Sequence, residues 1–147
     1  MVDSNSSLTL EARAWYEDFG LGLRQTSFFE EAKPRWLRLD LWAISAHYRA
    51  LEGERSELWI EGGLGGFRTV DDLTMVGGQG GLSVEHHLTD MLGLSAEART
   101  YLLENRVTAQ ELRASFRASI LYLSYRLVDF NVGPALHGPE VGLGLTF

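Results

Sequence analysis

The chain has no cysteine. That excludes a disulfide scaffold and a thiolate metal site, and leaves the redox compartment open. It has no apolar run near the roughly eighteen residues that a membrane-crossing helix needs. It also lacks an excess of positive charge: the formal net charge is -7 and the isoelectric point about 5.0. Nucleic acid is therefore not an expected partner, because phosphate binding needs a basic stripe. The start, MVDSNSSL, has neither a basic region nor an apolar stretch after it, so it is not a leader. Residues 1–7 read as a disordered polar tail on a mature exported chain whose leader has been removed. Residues 8–147 then form one domain, long enough to bury a core.

What the chain has is glycine, 16 residues in all, many inside apolar runs: EGGLGGF, VGGQGGL and VGLGLTF. Glycine is costly in a helix and tolerated in strands that bend or crowd. The stretch GLSVEHHLTDMLGLSAEARTYLL, 81–103, tests the point. Ser83 before VEHHLTDML and then Gly93 resembles a capped helix. Yet Leu82, Val84, Leu88, Leu92, Leu94, Ala96, Ala98 and Leu102 all fall on even positions, and a period of two held this long is the strand signal. A three-residue turn at Thr89–Met91 would place Leu88 opposite Leu92 and Val84 opposite Ala96, with Gly93 where a bulge would need it. The same alternation recurs in LTLEARAWY, WLRLDLWA, ELWIEGGLGGF, LRASFRASI and EVGLGLTF. The expected strands are 8–19, 35–50, 56–68, 74–88, 92–104, 110–120, 121–131 and 140–147, with a turn near 119–123 and a long loop at 20–34. A helix over 110–130 stays open as an alternative, because Thr108 and Glu111 form a capping box and Leu112, Phe116, Ile120, Leu123 and Leu127 follow at helical spacing.

The expected fold is an all-β, closed antiparallel up-and-down barrel of eight strands. Two barrels fit the pattern: a soluble one with the apolar face inside, and a transmembrane one with that face against lipid. Three features favour the membrane. The polar face is rich in small residues, which suits a narrow lumen. Its mid-strand charges carry both signs, Glu11, Arg13, Arg38, Asp40, Glu61, Glu85, Glu97, Arg99, Arg113 and Arg117, so they can pair there away from water. Aromatics (Trp15, Tyr16, Trp36, Trp42, Tyr48, Trp59, Phe67, Tyr101, Tyr122, Tyr125) fall toward segment ends, as interfacial girdles require.

The ending YRLVDFNVGPALHGPEVGLGLTF resembles the closing strands of small bacterial outer-membrane β-barrels of the OmpA/OmpX-like eight-stranded type. Val141, Leu143, Leu145 and Phe147 share one face. The hairpin around Leu88-Thr89-Asp90 resembles theirs too. The resemblance is diffuse, spans roughly residues 8–147, and brings no catalytic or binding motif. It implies a bacterial outer-membrane location, lipid around the barrel, and recognition of the terminal Val141–Phe147 face by the barrel-assembly machinery. Function would lie in anchoring, or in surface loops such as 20–34, where Phe28 and Phe29 offer contacts to a protein partner. No wide pore is expected.

No cofactor or metal is expected. Glu85 and His87 converge on one strand face, with His86 on the other, but they read as polar lining of the lumen. Ser45 and His47 share a face, as a nucleophile and its base would in a lipid-modifying enzyme, with no oxyanion signature or third member beside them. His137 reads as a turn residue. GGLGGF and GGQGG are not phosphate loops, because no Lys-Ser/Thr follows. The alternatives are a soluble lipocalin-like barrel that binds an apolar small molecule, and an enzyme acting on outer-membrane lipid.

Overall fold

The computed structural model describes residues 6–32, 35–69, 71, 73–133 and 135–147, and at 30–32 and 35–37 the backbone alone. It is all-β: β1 (Ser6–Tyr16), β2 (Phe19–Ala32), β3 (Arg35–Glu52), β4 (Ser56–Arg68), β5 (Thr74–His87), β6 (Leu92–Leu103), β7 (Thr108–Ala118), β8 (Leu121–Phe130) and β9 (Leu136–Thr146), with one short 3-10 turn at Glu104–Arg106. The strands follow chain order around a closed barrel. Each pairs antiparallel with the next. The seam between β1 and β9 is parallel, from Ser7 opposite Glu140 to Arg13 opposite Thr146.

Most expected strands are present. The hairpin over 81–103 pairs Val84 with Ala96, and the Leu88 amide donates to the Leu92 carbonyl at 2.9 Å. Residues 108–130 form β7 and β8 joined at Ser119–Ile120, so the helical alternative is set aside. Four expectations are corrected. The barrel has nine strands rather than eight, and its closing pair is parallel, so it is not antiparallel throughout. The extra strand is β2, in the segment expected as the 20–34 loop. The first strand begins at Ser6, so Ser6 and Ser7 leave the expected tail, and residues 1–5 lie outside the described residues. The β5–β6 register runs unbroken through Gly93, so no bulge forms there. The break in register falls instead between Arg49 and Leu51 on β3.

The barrel has two unlike ends. At the upper end, where β1 begins, the connections are 33–34, 69–73, 104–107 and 131–135. At the lower end the turns are 17–18, 53–55, 88–91 and 119–120. Phe28, Leu41, Phe67, Tyr101, Leu103, Val107, Ala109 and Val128 all fall near the upper end and form one buried apolar cluster. The Phe67 ring meets Tyr101 and Phe130 edge-on at 5.5 and 4.9 Å. This separate core was not expected. Outside it the wall carries Gln25, Arg38, Asp40, Arg68, Gln110 and Asp129. Lower down the polarity reverses. Leu10, Leu21, Leu23, Ile44, Ile60, Leu82, Leu94, Leu112, Leu123 and Leu143 are exposed on the outer wall, and charges fill the inside.

Several lumen glycines are demanded by crowding. A Cβ on Gly77 would lie 1.9 Å from the Leu102 carbonyl oxygen, and one on Gly63 would lie 2.0 Å from that of Ile44. On the outer wall, a Cβ on Gly78 would meet nothing within 4 Å. Gly77→Ala should therefore destabilise the barrel by about 1–3 kcal/mol, the usual cost of overpacking. Gly78→Ala should be neutral or slightly stabilising. Urea titration of the two variants checks the contrast.

Candidate functional site

Strand alternation places every second residue inside. On β1 these are Thr9, Glu11, Arg13 and Trp15, and on β6 they are Glu97, Arg99 and Tyr101. The same parity brings in Arg24 from β2, Glu61 from β4, Glu111 and Arg113 from β7, Arg126 from β8 and Glu140 from β9. Among the described residues the buried carboxylates and guanidinium groups are thus five glutamates, Glu11, Glu61, Glu97, Glu111 and Glu140, and five arginines, Arg13, Arg24, Arg99, Arg113 and Arg126. Their formal charges cancel.

The pairs cross the lumen and do not merely run along neighbouring strands. Glu97 meets Arg24 at 2.7 Å, Arg99 at 3.2 Å and Arg113 at 3.3 Å. Glu11 receives Arg13, Arg24 and Arg113. Glu61 holds Arg99 through both oxygens. Glu140 takes Arg113 at 2.8 Å and Arg126 at 2.7 Å. Arg126 also donates to Thr26 at 2.7 Å, across from β8 to β2. The Tyr101 hydroxyl donates to Glu111 at 2.6 Å, joining the network to the apolar core. Arg126 and Glu140 are wholly inaccessible, so solvent does not reach this depth.

Of the residues expected in the lumen, Glu11, Arg13, Glu61, Glu97, Arg99 and Arg113 lie inside this network. Glu85 sits below it, 2.8 Å from Arg13. Arg117 lies lower still, with one nitrogen 3.3 Å from His87 Nδ1. Arg38 and Asp40 are corrected: they point outward near the upper end, paired with each other at 2.9 Å, and Asp40 accepts from Ser27 at 2.6 Å. There β3 turns Leu39 and Leu41 inward, opposite to the expected sense. Sequence reasoning missed Arg24, Glu111, Arg126 and Glu140. Parity holds the signal for three of them. Glu111 continues the Arg113–Ser115–Arg117 face, Arg126 continues the Ser124 face, and Glu140 starts the Gly142–Gly144–Thr146 face. Arg24 fell in the segment read as a loop.

Among the aromatics, Tyr16, Tyr48 and Tyr125 are exposed on the outer wall, and Trp42 is half-buried there. Trp15, Trp59, Phe67, Tyr101 and Tyr122 point inward, contrary to the girdle expectation. The side chains of Trp36 and Leu37 lie outside the described residues. Val141, Leu143 and Leu145 line the outer face of β9, Phe147 follows its last residue, and all four are exposed. Ser45 and His47 are both buried inside. Ser45 accepts from Gln79 at 2.7 Å, and His47 Nδ1 lies 3.3 Å from Glu61.

At the lower mouth the interior opens into a cavity of about 280 Å³ lined by Trp15, Arg49, Glu57, Trp59, Glu85, His87, Arg117 and Tyr122. Arg49 stacks over the Trp59 ring at 5.6 Å and is held by Asp18 through two bonds of 2.8 and 3.0 Å.

Family models, curated proteins and solved structures all fail to match the chain.

Removing one member of a buried ion pair strands its partner, at a cost of about 3–5 kcal/mol. Glu140→Ala and Arg126→Ala should each lose stability on that scale or fail to refold. Arg38→Ala, at the exposed outer pair, should change stability little. Chemical denaturation of the three variants checks the ranking.

Proposed function

We propose that this chain is a membrane-embedded barrel of the bacterial outer membrane, serving as a compact anchor with a closed interior and not as a wide pore. The observation that carries the reading is the inside-out lower barrel, with a neutral set of buried carboxylates and guanidinium groups within and leucines, isoleucines and aromatics exposed without. A soluble monomer rarely exposes apolar patches beyond a few hundred Å², whereas lipid requires such a wall and requires every backbone group to pair within the barrel. The partners of this reading are outer-membrane lipid around the wall and the barrel-assembly machinery at Val141–Phe147.

The lipocalin-like alternative fits less well. Such a binder needs an apolar cavity, and here the apolar part of the lumen is a packed core while the rest is ionic. The enzyme alternative needs Ser45 and His47 at the lipid face, and both are enclosed. The loop-interaction variant loses its longest loop to β2, and the longest remaining connections are 69–73 and 131–135. Anchoring is what remains. The odd strand count departs from the even-numbered pattern of bacterial single-chain barrels, so the location rests on the wall and on the β9 resemblance, not on an OmpA/OmpX-like strand plan.

The chain should refold to a β-rich, heat-resistant monomer only in detergent or lipid. Far-UV circular dichroism and size-exclusion chromatography with and without detergent test this, and a monodisperse folded monomer in plain buffer would overturn it. Phe147→Asp should lower outer-membrane levels in cells far more than it impairs refolding in detergent. A charge near the interface costs only about 0–1 kcal/mol in a barrel, so a large cellular loss would reflect recognition, and normal levels would remove the assembly role.

A further inference from the structure

We propose that Glu57, Glu85 and His87 form a binding site for a divalent transition-metal ion at the lower mouth of the barrel. Glu57 stands opposite Glu85 in the β4–β5 register, and His87 follows Glu85 by two residues, so all three side chains point into the same mouth. One ligand atom from each lies within 4.8 Å of the other two. Zinc bonds of about 2.0–2.1 Å place tetrahedral ligands roughly 3.3 Å apart, a gap that small side-chain rotations close. All three residues line the 280 Å³ cavity, which leaves room for water to complete the coordination shell. None is locked in the core: their side chains are 19, 25 and 37 % exposed.

Charge balance points to a cation. Among the described residues the buried ions already balance, five glutamates against five arginines, and Arg13 belongs to that set. Glu57 and Glu85 are therefore surplus. Around the mouth Glu17, Asp18, Glu52, Glu57 and Glu85 face Arg49 and Arg117, and in the adjoining turn Glu54 and Arg55 cancel. Each ligand carboxylate uses Oε1 on an arginine, Glu57 on Arg49 at 3.2 Å and Glu85 on Arg13 at 2.8 Å, and has a second oxygen to give. Glu57 Oε2 also accepts from the Trp59 indole at 3.2 Å, which orients it, and lies 3.8 Å from His87 Nε2. The imidazole selects the class of metal: two carboxylates alone suit calcium or magnesium, whereas one nitrogen beside two oxygens suits zinc and its first-row neighbours.

Arg117 is the competitor. Its guanidinium can only donate, so His87 Nδ1 accepts from it at 3.3 Å and the proton of a neutral ring sits on Nε2. A metal ion on Nδ1 displaces that arginine directly, and one on Nε2 moves the ring proton to Nδ1, where it displaces the arginine as well. Removing Arg117 should thus strengthen binding, an effect not expected of a merely structural histidine.

The test is zinc titration of the whole chain against a chromophoric chelator, in whichever solvent it folds, with circular dichroism to confirm folding. One equivalent of zinc should bind. His87→Ala and Glu85→Gln should each weaken it by at least about tenfold, the lower scale of losses from a disturbed metal shell. Arg117→Ala should tighten it. His86→Ala should leave it unchanged, because His86 lies on the opposite strand face, bonded to Ser56 at 2.8 Å. No stoichiometric binding by the folded wild-type chain, equal losses in His86→Ala and His87→Ala, or weaker binding in Arg117→Ala would each overturn the site.

Discussion

The rest of the structure depends on the neutral ionic lattice inside the barrel. Burying one carboxylate or guanidinium costs several kcal/mol, and only close, multiply hydrogen-bonded partners repay it. Each of the five glutamates buried among the described residues has at least one arginine within 3.3 Å. Those arginines come from strands far apart around the wall: Arg24 on β2 reaches Glu97 on β6, and Arg113 on β7 reaches Glu11 on β1. Such contacts exist only when the sheet is closed. The lattice also fixes register. Shifting a strand by one residue sends its whole inner face outside, and here that would expose stranded charges on an apolar wall and bury leucines among ions. An apolar lumen inside an apolar wall would hold no such preference.

The lattice does not run the full height of the barrel, and that decides how the wall meets its surroundings. At the upper end aromatic and aliphatic side chains replace the ions, and the outer wall becomes polar in step: Asp40 and Arg68 stand opposite each other on β3 and β4. That collar obeys the rules of a soluble barrel. Below it the apolar wall along β1 runs from Leu8 to Tyr16, about 26 Å at ~3.3 Å per residue. In the proposed membrane, at a usual tilt of ~40°, this would span about 20 Å along the normal, somewhat less than the roughly 25 Å band of membrane barrels. A thin bilayer would suit it, and the bacterial outer membrane of that proposal is thinner than average. In that setting the collar would project into water, sealed by its own core.

Much of this was legible in the sequence, because alternation is a direct readout of a two-sided wall. The strand 56–68 was placed to the residue, and the 119–123 turn was located without a glycine, proline or asparagine to mark it. Ser119 makes that turn with a φ of 57°, as Glu17 makes the first one at 54°, and neither residue type announces a left-handed backbone. Hence β2 went unread. Its start, Phe19-Gly20-Leu21-Gly22-Leu23, alternates well, but its second half crosses into the collar, where Gln25 and Ser27 face outward and Phe28 faces in. Arg38 and Asp40 were misassigned for the same reason. Period-two patterning reports that a strand has two unlike faces. It does not say which face is inside, and here the answer changes along a single strand.

The glycines explain how so narrow a lumen holds so much. A Cβ on Gly20 would lie 2.0 Å from the Trp15 ring, one on Gly144 2.3 Å from Tyr122, and one on Gly65 2.9 Å from Tyr101. In each case an aromatic ring lies over the bare backbone of a glycine that shares its interior face. The exchange keeps rings and arginine stems in the same cross-section. Tyr122 covers Gly144 and also lies 5.6 Å from the Arg113 guanidinium, and Tyr101 covers Gly65 while donating to Glu111. Glycine, aromatic and ion thus form linked layers: small residues free the volume, rings fill it without adding charge, and their edges orient the ions. The glycine-rich runs that first pointed toward strands are what allow the lattice to fit.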